Sequence, residues 1–200
     1  EKSIELGEEY HKNEKWMQFR PDVTFIMANA YRLEADNQLK VAVSLQNALS
    51  TSDRDRALKA KEKSNDYYNR FFALCDNYLE LAHAPSSTEA DQKYARDFVN
   101  MMGAVYFKLK RFNDLLEKFA GFENGVMNKS KGYVNLPNFK KSPAMPSAHY
   151  MSGLALLASG KFNEAKPLLG PVVGVAVEGI PLDDPNLVQE DVPQDEQEDT

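Results

Sequence analysis

Two stretches of the chain repeat one another at a distance of fifty residues, and that repeat restricts the folds open to it. The first runs from Met102 to Leu115 and the second from Ser152 to Ala165. In each, a glycine (Gly103, Gly153) opens an apolar run. A polar corner follows seven residues later, then a basic residue, an aromatic, Asn, an acid and an apolar residue. The corners are Lys110-Arg111-Phe112-Asn113-Asp114 and Gly160-Lys161-Phe162-Asn163-Glu164. A helical hairpin needs this order. Its two helices approach closely near the turn, so a glycine removes a side chain where the partner crosses, against a helix penalty of about 1 kcal/mol. Tyr106, and Leu156 in its place, fill the next turn. Phe112 and Phe162 open the second helix and are expected to cover the hairpin end, and Leu115 and Ala165 then meet the first helix.

The arrangement resembles the tetratricopeptide repeat, a helix–turn–helix unit with small and aromatic anchors at fixed spacing. The resemblance implies an all-α fold of antiparallel helical hairpins stacked as a short solenoid. Such units bury their faces by stacking, and about three are needed for stability. The family period is about 34 residues, so the fifty-residue spacing carries an excess of about sixteen, which falls in an irregular insertion over 125–146. A degenerate third unit is read from Ala28 and Tyr31, with Val41, Leu45 and Ala48 in its second helix. The same stretch, 22–49, holds neither Gly nor Pro and also reads as one long helix. A bundle of long helices is therefore the competing architecture.

The remaining boundaries follow from punctuation. Residues 1–20 form an N-terminal arm or short helix in which Trp16 and Phe19 are docking aromatics. Pro21 suits a helix start. Ser50-Thr51-Ser52-Asp53 caps a helix running to Ala82. The second half of that helix, Tyr67 to Leu81, is aromatic and apolar and must be covered. Ser86-x-x-Glu89 reads as a capping box opening the next helix. The repeat-like domain spans 21–181. Residues 182–200 hold eight acidic residues and no basic ones. They form a tail too poor in apolar groups to order alone. The tail extends as a solvating segment or lies on the basic insertion around Lys129, Lys131, Lys140 and Lys141.

Charge and composition exclude several classes. The chain carries 24 basic and 30 acidic residues. Without the tail it is nearly neutral, which does not fit a nucleic-acid binder. No apolar run approaches the roughly 18 residues of a membrane span. The start at Glu1, without Met, permits a processed, exported or organellar chain. Cys75 is the single cysteine. Its neighbours Phe71, Phe72, Ala73 and Leu74 make it a buried thiol. No phosphate-binding loop, nucleophile motif or metal-ligand spacing is present, so no cofactor, metal or catalytic residue is expected.

The functional expectation is a non-catalytic protein-interaction scaffold, a subunit of a larger assembly. By the resemblance, first-helix side chains line a concave groove. From Gly103 these are Asp97, Asn100, Ala104, Phe107 and Lys108. From Gly153 they are Ser147, Tyr150, Leu154, Leu157 and Ala158. The second set is largely apolar and suits an apolar protein segment. The competing class is a helical small-molecule carrier or enzyme, with a pocket near Tyr67–Tyr78.

Overall fold

A computed structural model describes residues 2–11, 20–48, 50–123, 126–128 and 130–177. Trp16, Phe19 and the acidic tail lie outside the described residues. The fold is all-α apart from one small ribbon. In chain order it has α1 (Lys2–His11), α2 (Arg20–Leu45), α3 (Thr51–Ala82), α4 (Ala95–Lys108) and α5 (Phe112–Ala120). A two-residue antiparallel ribbon follows, β1 (Phe122–Glu123) with β2 (Val126–Met127). Two 3-10 turns (Tyr133–Asn135 and Phe139–Lys141) then lead to α6 (Met145–Ala158) and α7 (Phe162–Val177).

The region 22–49 does not break at Glu34-Ala35-Asp36-Asn37. It is one helix to Leu45, so the degenerate third repeat is not built there. The polar residues at that point act sideways instead. Ser64 Oγ of α3 donates to the Ala35 carbonyl at 2.9 Å. Tyr68 of α3 donates its hydroxyl to Asp36. With no Gly or Pro to interrupt it, the helix continues past these bonds. Ala28 and Tyr31 are buried, as the repeat pattern requires, but within a long antiparallel pair, α2 with α3.

The capping box at Ser86–Glu89 is also displaced. Asp91, rather than Glu89, is the reciprocating acid: its carboxylate accepts from the Thr88 backbone N at 2.7 Å and from Thr88 Oγ1 at 2.8 Å. Residues 89–94 form successive three-residue turns, among them Gln92 N to Glu89 O and Ala95 N to Gln92 O. The α-helix begins only at Ala95.

The two matched corners fold alike. Arg111 N donates to Tyr106 O at 2.9 Å, and Lys161 N donates to Leu156 O at 2.9 Å. Lys110 N to Phe107 O and Gly160 N to Leu157 O are both 3.0 Å. These paired bonds make a Schellman C-cap, which needs a left-handed residue just past the helix. Gly160 takes that conformation at φ 73°, and Lys110 takes it at φ 55° without glycine's freedom.

Other equivalences fail. A Cβ at Gly153 would overlap Leu169 of α7, the partner within its own hairpin. A Cβ at Gly103 would lie 2.8 Å from Met151 Cγ of α6, in the next hairpin. Both glycines mark a close approach, but to different neighbours. Phe112 packs edge-on to Phe107 at 5.2 Å, whereas Phe162 is 68% exposed and covers nothing. Leu115 and Ala165 are buried as expected. The core centres on Tyr68, Phe71, Cys75, Phe98, Val99, Met102, Leu115 and Phe119.

The corners give a matched pair of backbone tests. Lys110→Gly relieves left-handed strain and should raise the unfolding free energy by about 1 kcal/mol. That corresponds to about 2–4 °C in Tm for a domain of this size. Gly160→Ala meets no atom within 4 Å. It should therefore lose about 1 kcal/mol through backbone strain alone. Thermal melts of both variants measure the two signs.

Candidate binding surfaces

The layers are tied by one recurring device, a carboxylate that takes a tyrosine hydroxyl and a cation. At α1, Glu8 accepts from Tyr31 of α2 at 2.7 Å and faces Arg70 of α3 at 3.8 Å. Asp22 of α2 accepts from Tyr94 and from Lys93 Nζ at 3.0 Å, at the entrance to α4. Asp36 of α2 accepts from Tyr68 of α3 and from Lys108 Nζ of α4 at 2.6 Å. Asp76 of α3 accepts from Tyr133 of the insertion and from Lys118 Nζ of α5, both at 2.8 Å.

These contacts have electrostatic consequences. The Tyr94 hydroxyl, with the Lys93 ammonium, holds the Asp22 carboxyl below its ordinary value. Burial alone would raise Asp36, but Lys108 and Tyr68 together outweigh it and hold that carboxyl low as well. Burial and the facing carboxylate push the Tyr31 hydroxyl up to about 12, so it stays a donor. Burial, then Asp36, pushes Tyr68 up further.

Asp22 and Asp36 lie fourteen residues apart on α2, as do Tyr94 and Lys108 on the α4 segment. The two clamps therefore run α2 and α4 side by side in the same direction. Phe25 fills the space between them, stacking on Tyr94 at 4.6 Å and meeting Phe98 edge-on at 5.9 Å. Met151 over Gly103 brings α6 to the other flank of α4.

Each expected groove residue can now be placed. On α4, Asp97, Ala104 and Lys108 are exposed, and Asn100 and Phe107 are half-buried. On α6, Tyr150, Leu157 and Ala158 are exposed, and Ser147 and Leu154 are half-buried. Lys108 is committed to Asp36 and does not stand as a free cation. The sequence reading missed α2, which adds Ile26 and Leu33, 60% and 53% exposed. Their seven-residue spacing was the available signal, passed over because the groove residues were carried over only from Gly103 and Gly153.

The aromatic cluster of α3 is largely packed, and only its end, at Leu74, Asn77 and Tyr78, faces an open cleft. Tyr68, Phe71, Phe72, Cys75, Tyr78 and Leu79 are packed core, and burial pushes the Cys75 thiol well up. An open cleft of about 610 Å³ adjoins the end of the cluster, between Arg20, Pro21, Tyr78, Leu81 and Ser87. His83 Nε2 lies 2.6 Å from Ser142 Oγ, and its Nδ1 lies 2.7 Å from Leu79 O. The carbonyl fixes the proton on Nδ1, so the serine donates to Nε2. The pair mimics a nucleophile and base, but both residues are buried and neither lines the cleft. Ser142 Oγ also accepts from Ala144 N at 3.2 Å. The pair is a latch holding the insertion on α3.

Among the described residues no cluster of His, Cys, Asp or Glu could hold a metal ion, and no helix is long and apolar enough to cross a membrane. Comparison with protein-family models, known proteins and solved structures gave no match.

Two pH effects follow, with opposite groups involved. Asp22 and Asp36 have folded values below 3.8. The stability they supply is present above that value and is lost as pH falls through the folded one. Asp36→Asn should cost about 1–3 kcal/mol at neutral pH and flatten the stability loss below about pH 4. Denaturant melts from pH 7 to 2 measure both. Burial lowers His83 below 6.5, so the native state favours its neutral form. Its stability contribution is full above 6.5 and declines as pH falls towards the folded value. Wild type should therefore lose stability as pH falls below about 6.5, and His83→Gln should lose less over the same range.

Proposed function

We propose that the chain is a non-catalytic protein-interaction scaffold of tetratricopeptide-like design. The reading takes α2/α3, α4/α5 and α6/α7 as three stacked hairpins. Its architectural support is that α6 packs on both α4 and α5, as the first helix of one repeat packs on the preceding pair. The identical Schellman corners after α4 and α6 support the same unit.

One observation carries the functional reading. Exposed apolar side chains stand on the first helices of the outer hairpins, Ile26 and Leu33 on α2 and Tyr150 and Leu157 on α6, with the half-buried Phe107 on α4. Contiguous exposed apolar surface is a mark of an interaction site. Phe107 and Tyr150 are the aromatic anchors expected of a binding hot spot. The surface suits an apolar protein segment, and membership of a multi-subunit complex follows from such a role. Lys108, held by Asp36, contributes little to anion capture, so recognition of a terminal carboxylate is not part of the reading.

The test compares partner capture by the full chain and by variants of exposed residues. Phe107→Ala with Tyr150→Ala should weaken binding at least about thirtyfold. Leu33→Glu should do the same through a buried charge at the interface. Leu58→Glu, on an exposed residue of α3 outside this face, is the control and should bind as wild type. Equal capture by all four proteins refutes the assignment.

A further inference from the structure

The buried tyrosines Tyr31, Tyr68, Tyr78 and Tyr133 each donate a hydroxyl to a carboxylate or a carbonyl. Tyr106 is buried as they are, at 4% exposure, yet its hydroxyl makes no hydrogen bond within the protein. Its ring is fully engaged. It stacks on Phe72 at 4.4 Å, meets Phe119 edge-on at 6.3 Å and lies 5.6 Å from the Arg111 guanidinium. A buried tyrosine hydroxyl ordinarily finds a partner. Here the residue lines an open cleft of about 530 Å³ between α5 and the insertion. With its ring packed on these sides, the hydroxyl end is the part that reaches the cleft. Burial, with Asp76 nearby, pushes the hydroxyl up, so it stays protonated. It can donate one hydrogen bond and accept others.

The charges around that hydroxyl decide what could meet it. Every cation of the lining is already neutralised: Arg111 by Asp114, Lys118 by Asp76 at 2.8 Å and Lys131 by Glu123 at 2.9 Å. Glu117, exposed, is the lining carboxylate outside these pairs. An anion entering the cleft meets Asp114 and Glu117, and a cation meets Arg111, Lys118 and Lys131. Either would have to displace an existing partner. The paired groups nevertheless keep spare hydrogen-bonding capacity. Arg111 bonds Asp114 through Nε, which leaves both Nη groups free to donate. Each lysine keeps further N–H donors, and the carboxylates keep lone pairs. Hydrogen bonds to such groups are the strong, charge-assisted kind.

We propose that the cleft between α5 and the insertion binds a neutral sugar, whose hydroxyls take Tyr106 Oη, the Arg111 Nη groups and Glu117. A sugar hydroxyl both donates and accepts, so closely spaced hydroxyls answer donors and carboxylates that stand side by side, and they add no charge. A sugar also has an apolar C–H face. Leu136, 40% exposed, and the bare backbone of Gly132 offer an apolar side to it. The volume falls within the range of small-molecule sites, about 300–1,000 Å³. None of the residues of the apolar face on α2, α4 and α6 lines this cleft, so the site is separate from the protein-interaction surface.

Two-dimensional NMR of the full, isotope-labelled chain tests this, with glucose, galactose, mannose, maltose and lactose titrated in turn. At least one should shift amides confined to 106–118 and 131–136, saturating in the millimolar range, about 1–20 mM. Acetate and inorganic phosphate at the same concentrations should leave those amides in place. Tyr106→Phe keeps the ring and removes only the hydroxyl, so Tm should not fall, while affinity for the sugar should drop about five- to tenfold. Glu117→Ala, on an exposed side chain, should weaken binding at least about threefold. The proposal is overturned if none of the five sugars shifts these amides at about 50 mM, or if acetate or phosphate shifts them instead. Unchanged affinity in both variants overturns it too. So does a Tm loss above about 2 °C in Tyr106→Phe, which would show that the hydroxyl serves the fold.

Discussion

A carboxylate between helices needs donors from more than one side, and that requirement governs how this chain stacks. Removing an ionised group from water is costly unless its lone pairs are filled. Asp36 and Asp76 fill theirs with one tyrosine each and with cations, Lys108 and Arg32 at Asp36 and Lys118 at Asp76, and the exposed Glu8 and Asp22 repeat the pairing at the surface. The tyrosine contributes a ring to the core and a hydroxyl at its edge. The cation comes from a further element or from the residue beside the tyrosine, so each clamp satisfies one charge while joining two or three segments. Such contacts act on register more than on net stability, because solvent screens the exposed pairs at Glu8 and Asp22 and desolvation offsets much of the attraction at the more buried Asp36 and Asp76. Asp22 and Asp36 show this directly. With equal spacing on both sides, they permit α2 and α4 only one alignment, and the Phe25–Tyr94 stack then closes the gap between them.

Register from clamps explains a hairpin that the sequence conceals. The outer part of α2 and α3 is polar, and its fully buried side chains are alanines, Ala42 and Ala60, with Leu39 and Leu45 half-buried beside them. Small seams give close helix approach but little area, and thus little hydrophobic stabilisation at about 25 cal/mol per Å². The pair is anchored at its base by Ser64 to Ala35 O and by Tyr68 to Asp36. Helix continuity from that base, with no Gly or Pro on either strand of the hairpin between 37 and 63, extends it outwards.

What could be read from the sequence was local, and what could not was long-range. The corners at Lys110 and Gly160 were legible because a Schellman cap is encoded within six residues. All-α character and the burial of Cys75, Leu115 and Ala165 followed from periodicity. The glycines told only that something comes close; which helix fills the space above Gly103 is decided by α6, nearly fifty residues on. Asp36 and Tyr68 are 32 residues apart, Tyr133 and Asp76 are 57, and Tyr94 and Asp22 are 72. No spacing rule connects them. Thr88 and Asp91 show the smaller failure: two overlapping box patterns compete within six residues, and the shorter aspartate bonds its cap. Ile26 and Leu33 were missed because the groove was read only from the two matched hairpins, and nothing local in α2 marks which of its faces is left uncovered.

The insertion between the two matched hairpins has its cause in the length of α5. That helix has nine residues and stops at Gly121, whose left-handed backbone ends it. Nine residues cover only about 13 Å. α3 runs on to Ala82, so its last turns lack a neighbour that a longer α5 would have supplied. The insertion fills that place. Tyr133 packs on Phe119 at 5.9 Å and bonds Asp76, and Phe139 stacks on Tyr133 at 5.3 Å and meets His83 at 4.5 Å. Asn138 Nδ2 and Ser142 Oγ then take the His83 carbonyl and ring, so even the C-cap of α3 is closed by this segment. Long loops are often taken as functional. Here the segment packs where a longer α5 would lie, and α6 begins close to the end of α3 because the segment that delivers it is fixed there by Ser142 and Asn138.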